Sequence, residues 1–226
     1  MKQNAIAIDG PAGAGKSTVA GKVADLLGFV YIDTGAMYRA IASKVLDGGI
    51  ALTDLNQIAE LARRVRIRIS REQGELRVWA DGADVTEKIR NPEVTAAVTS
   101  VSQIPAVREA MIGLQRELAA EGSVVVDGRD IGTVVLPEAC AKIFLTASVT
   151  ERAQRRWQEM KEKGYEPDLN VLQQELEERD RQDSEREMSP LIQAKDAVLL
   201  DTTGMMINEV VDRIVNIYRN QWSGNA

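Results

Sequence analysis

The segment Ala5-Ile6-Ala7-Ile8-Asp9-Gly10-Pro11-Ala12-Gly13-Ala14-Gly15-Lys16-Ser17-Thr18 constrains the fold more than any other part of the chain. It satisfies G-x-x-x-x-G-K-[ST] with Gly10, Gly15, Lys16 and Ser17 in the fixed places. An apolar run, Ala5 to Ile8, precedes it and reads as a buried strand. Val19, Ala20, Val23, Ala24 and Leu27 follow at helical spacing. A strand, a glycine-rich turn and a helix in that order suit a phosphate chain. Glycines let several backbone N–H groups point inward, and the helix start adds partial positive charge. Residues Gly10 to Thr18 are therefore expected to bind the ATP phosphates, with Lys16 on the outer ones and the Ser17 hydroxyl on Mg²⁺.

Such a loop does not name the acceptor, but the composition removes several chemistries. The chain has no histidine, which excludes Ser-His, Cys-His and His-ligated metal mechanisms. Cys140 is the one cysteine, so neither an intrachain disulfide nor a multi-cysteine metal site is possible. A net charge of −6 argues against general nucleic-acid binding. Met1-Lys2-Gln3-Asn4 leads straight into the first strand and no apolar run is long enough for a bilayer. A cytoplasmic monomer acting on small molecules is expected.

Along the chain, Phe29 to Ile32 reads as a second strand, ending in Asp33-Thr34-Gly35. The helix from Ala36 to Leu46 is expected to be capped by Thr34 and to carry Arg39 in its first turns, aimed at an anion. Leu55 to Arg64 is another helix. Val65 to Ile69 and Leu76 to Trp79 alternate strictly about Gln73-Gly74, as in a hairpin. An antiparallel hairpin does not belong in a parallel core, so residues 35–104 read as an insertion. Asn91-Pro92 and Pro105 open two helices that carry Thr99 and Arg108.

Ser123 to Asp127 is a third strand, closed by Gly128-Arg129-Asp130, and Asp127 is placed to join a Mg²⁺ shell through water. No glutamate follows Asp127 and no Asn-Lys-x-Asp occurs, which points away from motors and guanine-specific GTPases. Lys142 to Ala147 and Ala197 to Asp201 are the last strands. Between them the charged residues 150–187, rich in arginine, read as a mobile helical lid, followed by a final helix from Ile207 to Arg219. The whole is a single kinase domain of α/β class, its core formed by residues 1–34, 105–149 and 188–226. The residues alone leave another small acceptor (UMP, AMP or shikimate) or a non-catalytic nucleotide switch open.

These pieces together resemble the bacterial cytidylate kinases, a family of P-loop nucleoside monophosphate kinases. The resemblance rests on the segment Ile8 to Thr18, on Asp33-Thr34-Gly35-Ala36-Met37-Tyr38-Arg39, on Asp127-Gly128-Arg129-Asp130-Ile131-Gly132-Thr133, and on Arg179 with Asp183-Ser184-Glu185-Arg186. It implies a three-layer P-loop fold with a five-stranded parallel sheet. It also implies transfer of the ATP γ-phosphoryl group to CMP or dCMP with Mg²⁺. By position, Arg39, Arg129 and Arg186 would hold the acceptor phosphate. Thr34, Thr99, Arg108 and Asp130 would surround the cytosine, and Asp183 with Arg179 would meet the sugar. Lys16, Arg129 and Arg186 would be the catalytic cations.

Overall fold

A computed structural model describes residues 3–72, 75–162 and 164–223. Its main sheet has five parallel strands in the order β2-β6-β1-β7-β8, with β1 (Gln3–Asp9) in the middle, β2 (Val30–Asp33) and β8 (Val198–Asp201) on the edges, and β6 (Val124–Gly128) and β7 (Ala139–Thr146) between. A centre strand needs apolar side chains on both faces, and Ala5 to Ile8 and Val124 to Val126 are fully buried. The register pairs Ile8 with Asp127 and Asp9 with Gly128, so β1 and β6 finish level. The loops that follow them therefore emerge side by side at the carboxyl end of the sheet, where open α/β sheets bind ligands.

The described chain forms two compact units, Ile32–Glu121 being one of them. In that unit α2 (Thr34–Asp47) packs on α4 (Pro92–Gln103), and α3 (Leu55–Arg64) packs on α5 (Pro105–Ala120). A three-stranded antiparallel sheet joins β3 (Ile67–Glu72), β4 (Glu75–Ala80) and the short β5 (Ala83–Asp84). The expected hairpin is thus present with one more strand, while its turn, Gln73-Gly74, lies outside the described residues. The sequence reading ended this insertion at residue 104. The compact unit runs on to Glu121 because α5 buries Val107, Met111 and Ile112 and packs on α3 and α4.

In the other unit α1 (Lys16–Leu27) packs on α8 (Ile207–Ser223). The charged stretch forms two helices that pack on each other, α6 (Val149–Glu162) and α7 (Leu169–Glu185). The π-helical turn Ile131–Val135 after β6 was not foreseen from the sequence. No described helix is long and apolar enough to cross a membrane.

Candidate active site

The phosphate loop is built by close packing as much as by flexibility. A Cβ on Gly10, whose φ is 149°, would lie 1.9 Å from the carbonyl oxygen of Leu145 in β7, so only glycine fits. Gly15, at φ 85°, caps α1 in the left-handed conformation and turns the chain into the helix. Lys16 is buried, its Nζ donating to the Pro11 carbonyl at 2.7 Å across the mouth of the loop. Burial, helped by the nearby Arg129, depresses the Lys16 ammonium to about 7, against the pull of Asp127 and Asp183. The unfolded chain then holds this proton between about pH 7 and 10.5 while the folded chain does not, so folding stability rises with pH over that window. Urea denaturation from neutral to alkaline pH is expected to show this rise, and a Lys16→Ala protein to lack it. Parallel curves for the two proteins would assign the titration elsewhere.

The Ser17 hydroxyl donates to Asp127 Oδ2 at 3.2 Å, and the phenol of Tyr31 donates to Asp127 Oδ1 at 2.7 Å. One hydroxyl and one carboxylate form a hard oxygen donor set. That set suits a Mg²⁺ ion that keeps several waters and is otherwise held by nucleotide phosphates. Tyr31 was not singled out from the sequence. Its place two residues before Asp33, on a buried strand end, was the available signal.

The loop after β6 holds the next group. Arg129 Nε donates to Asp183 Oδ2 at 2.7 Å, and Arg186 lies with Nη1 3.8 Å from Asp183 and Nη2 3.7 Å from Asp130. Burial pulls the Asp183 carboxyl up, but Arg129, hydrogen-bonded to it, with Arg179 and Arg186 close by, holds it below the usual carboxylate range. Burial alone would lower the Arg129 guanidinium, and Asp183 raises it above its ordinary value instead. Asp183, expected at the sugar, is here the anion around which three arginines gather.

The sequence reading places Arg186 within the mobile lid of residues 150–187. Its side chain is only 7% exposed, and Nε donates to the Ser189 carbonyl at 2.6 Å. It lies beyond the end of α7 against residues of its own unit, so no lid movement is needed to bring it beside Asp130.

Arg152, Arg155 and Arg156 fall on one helical face of the charged stretch read as a lid, but Arg152 does not stay in solvent. It is buried and spends its donors on the Ala147 carbonyl at 3.0 Å, the Ala12 carbonyl at 2.8 Å and Asp180 at 2.7 Å. With Ala12, Ala153 and Leu176 in one apolar cluster, it fastens the base of α6 and α7 to the phosphate loop. Arg155 donates to the Thr202 carbonyl, and Arg156 pairs with Glu159.

Asp9 also went unremarked in the sequence. Its carboxylate is 4% exposed and accepts from the Ile131 and Gly132 N–H groups, each at 2.7 Å. Burial raises it to about 6 despite those two donors.

Within the other unit, Asp33 rather than Thr34 caps α2, accepting from the Ala36 N–H at 2.7 Å. The cap falls there because β2 runs one residue further than expected and the helix starts earlier. Thr34 lies buried in the first turn. Arg39 folds back on Asp33 at 3.3 Å, its side chain still 28% exposed. Arg108 is buried in α5, its Nη1 donating to the Ser102 carbonyl at 3.2 Å and its Cζ 5.5 Å from the Tyr38 ring centre. Thr99 is half-buried on α4, its carbonyl accepting from Ser102 Oγ at 3.1 Å.

A family model described as cytidylate kinase matches residues 6–220. The chain is similar to a cytidylate kinase of Desulforamulus reducens, with 57% identity over 93% of this chain and 94% of that protein. It is similar to another from Desulfitobacterium hafniense, 54% identical over 98% of this chain and 95% of that one. Among solved structures, an uncharacterized protein from Eubacterium ventriosum shares the fold, with a TM-score of 0.52 at 13% identity, over 95% of this chain and 98% of that chain. With the family model spanning nearly all of the sequence and these two relatives more than half identical to it, the chain belongs to the cytidylate kinase family.

Proposed function

We propose that this protein moves the ATP γ-phosphoryl group directly, in line, to the phosphate of CMP or dCMP, and that Lys16, Arg129 and Arg186 supply the transition-state cations. The observation that carries this reading is the convergence, in one unit, of the phosphate loop, Asp127 and the Arg129–Asp183–Arg186 cluster at the ends of adjacent strands. CMP's phosphate is already largely ionised at neutral pH, its second pKa being about 6, so the site needs no strong base. It needs cations that match two approaching anions, and arginine forks do so with fixed geometry.

Gly10 to Thr18 would hold the ATP phosphates through backbone N–H groups. Ser17, and Asp127 through water, would hold Mg²⁺, which contributes charge neutralisation on the transferring group. For the acceptor, Arg39, Arg129 and Arg186 would bind the phosphate, and Thr34, Thr99, Arg108 and Asp130 the base. Asp183 with Arg179 would meet the sugar of CMP, while the arginines now on Asp183, Arg129 and Arg186, would turn to its phosphate. A cytoplasmic monomer belongs to the same proposal.

Coupled ADP release with CMP, dCMP, UMP and AMP tests the reading: fast turnover is expected with the cytosine nucleotides only. Acceptor-independent ADP release, or AMP as the best acceptor, would sink it.

Base choice is assigned to Asp130 and Arg108, since cytosine offers an N4 amino donor beside acceptors. Asp130→Asn exchanges an acceptor-only group for one with both characters. It is expected to weaken CMP use by about 1–3 kcal/mol and to narrow the gap to UMP. If CMP and UMP activities fall in parallel, Asp130 does not read the base.

A further inference from the structure

We propose that Asp9 is a positioning residue for the acceptor: its carboxylate clasps the backbone at Ile131 and Gly132 and so fixes Arg129 and Asp130 relative to the phosphate loop. Asp9 is the last residue of β1 and the direct neighbour of Gly10. Both of its oxygens are used, Oδ1 by the Ile131 N–H and Oδ2 by the Gly132 N–H, each at 2.7 Å. The clasp thus joins points 122 and 123 residues apart in sequence. It takes hold one residue beyond Asp130, whose carbonyl opens the π-helical turn by accepting from Val134 and Val135.

The partner backbone is shaped to allow this approach. A Cβ on Gly132 would meet Asp9 Oδ2 at 3.3 Å and the Lys142 side chain at 3.2 Å, tighter than an ordinary contact. A carboxylate is the group this arrangement calls for, because two parallel N–H donors face one side chain. An amide of the same size offers one acceptor and then turns its own N–H₂ toward the second donor. The phosphate loop has other anchors, at Leu145 through Gly10 and at Arg152 through Ala12. Losing the clasp is therefore expected to release the Arg129–Asp130 loop selectively.

This inference rests on the assignment of Arg129 and Asp130 to the acceptor, and the experiment separates the two. Binding of CMP and of a non-hydrolysable ATP analogue is measured calorimetrically for the parent, Asp9→Asn, Gly132→Ala and Asp130→Asn proteins. Asp9→Asn and Gly132→Ala disturb the clasp from its two sides. Each is expected to weaken CMP about tenfold to a hundredfold, the scale on which small misplacements act, while leaving the ATP analogue within about twofold. The split between ligands is the decisive readout, since general loss of structure would move both. If Asp9→Asn fails to fold, Gly132→Ala carries the test. Unchanged CMP affinity in the clasp variants, or equal loss for both ligands, overturns the proposal. Loss of CMP binding in Asp130→Asn but not in the clasp variants overturns it alone, whereas no loss in Asp130→Asn overturns the acceptor assignment beneath it.

Discussion

A Lys16→Ala protein is expected to fold normally and to lose about two to three orders of magnitude in turnover, the scale seen when one preorganised charge contact is removed from a transition state. Lys16 Nζ is buried and donates to the Pro11 carbonyl. Burial drives its ammonium down to about 7, so the folded protein holds a poorly solvated cation. Bound phosphates are expected to restore the charge and to take over the hydrogen bond. The energy the fold expends in keeping Lys16 buried is then expected to be returned on substrate binding. Removing the side chain removes that penalty along with the catalytic contact. The variant is therefore expected to melt no lower than the parent at pH 7, where the parent's Lys16 is still partly deprived of its proton. Thermal melts and steady-state turnover on the same sample check both halves. Near-normal turnover would remove the phosphate loop from the mechanism, and a large fall in melting temperature would make Lys16 a structural residue.

How much was legible in advance depended on whether the determining contacts were local. The strand, glycine turn and α1 were readable because the motif specifies its own geometry over fewer than three turns of chain. Helix α3 was placed from Leu55 to Arg64 as found, and the structure adds Asp54 as its cap, accepting from the Gln57 N–H. The five strands followed from continuous apolar runs, and their assembly into one parallel sheet from the resemblance. What stayed hidden lies in contacts between distant positions. Nothing near Asp9 announces that its partners are Ile131 and Gly132. Arg152 reads as one arginine among several on a polar helix, and only its long-range bond to Ala12 explains its burial. Asp180 reads as part of a charge run, yet it neutralises that arginine. Charge runs are usually solvated, and Arg156 and Arg181, paired with neighbours on their own helices, are. The sequence does not mark which members of a run turn inward.

Arg186→Ala is expected to depress turnover at least as strongly as any other single arginine in the cluster, and, unlike an exposed arginine, to lower stability too. ATP and CMP together bring about six negative charges at neutral pH, of which Mg²⁺ and Lys16 cancel about three. Arg129 and Arg186 gather at Asp183, so an internal anion holds the remaining cations together. Deleting Arg186 leaves Asp183 to Arg129 and Arg179 and strips a cation from the buried Asp130. At separations of 3.7 and 3.8 Å the cost is expected to be about 1–3 kcal/mol, below that of breaking a hydrogen-bonded buried pair. Another set of contacts limits where α6 and α7 are expected to move. Arg152, Asp180 and Leu176 bind the base of α6 and α7 to the phosphate loop, so movement is expected in the distal turns, residues 156–162 and 164–171. Amide exchange there is expected to be fast in the free protein and to slow when ATP and CMP analogues are bound together, with little change around Arg152 and Leu176. Uniform protection along both helices with or without ligands would leave them a fixed part of the core. An Arg186→Ala protein with full activity would pass the missing charge to Arg179, which with Arg129 stays beside Asp183.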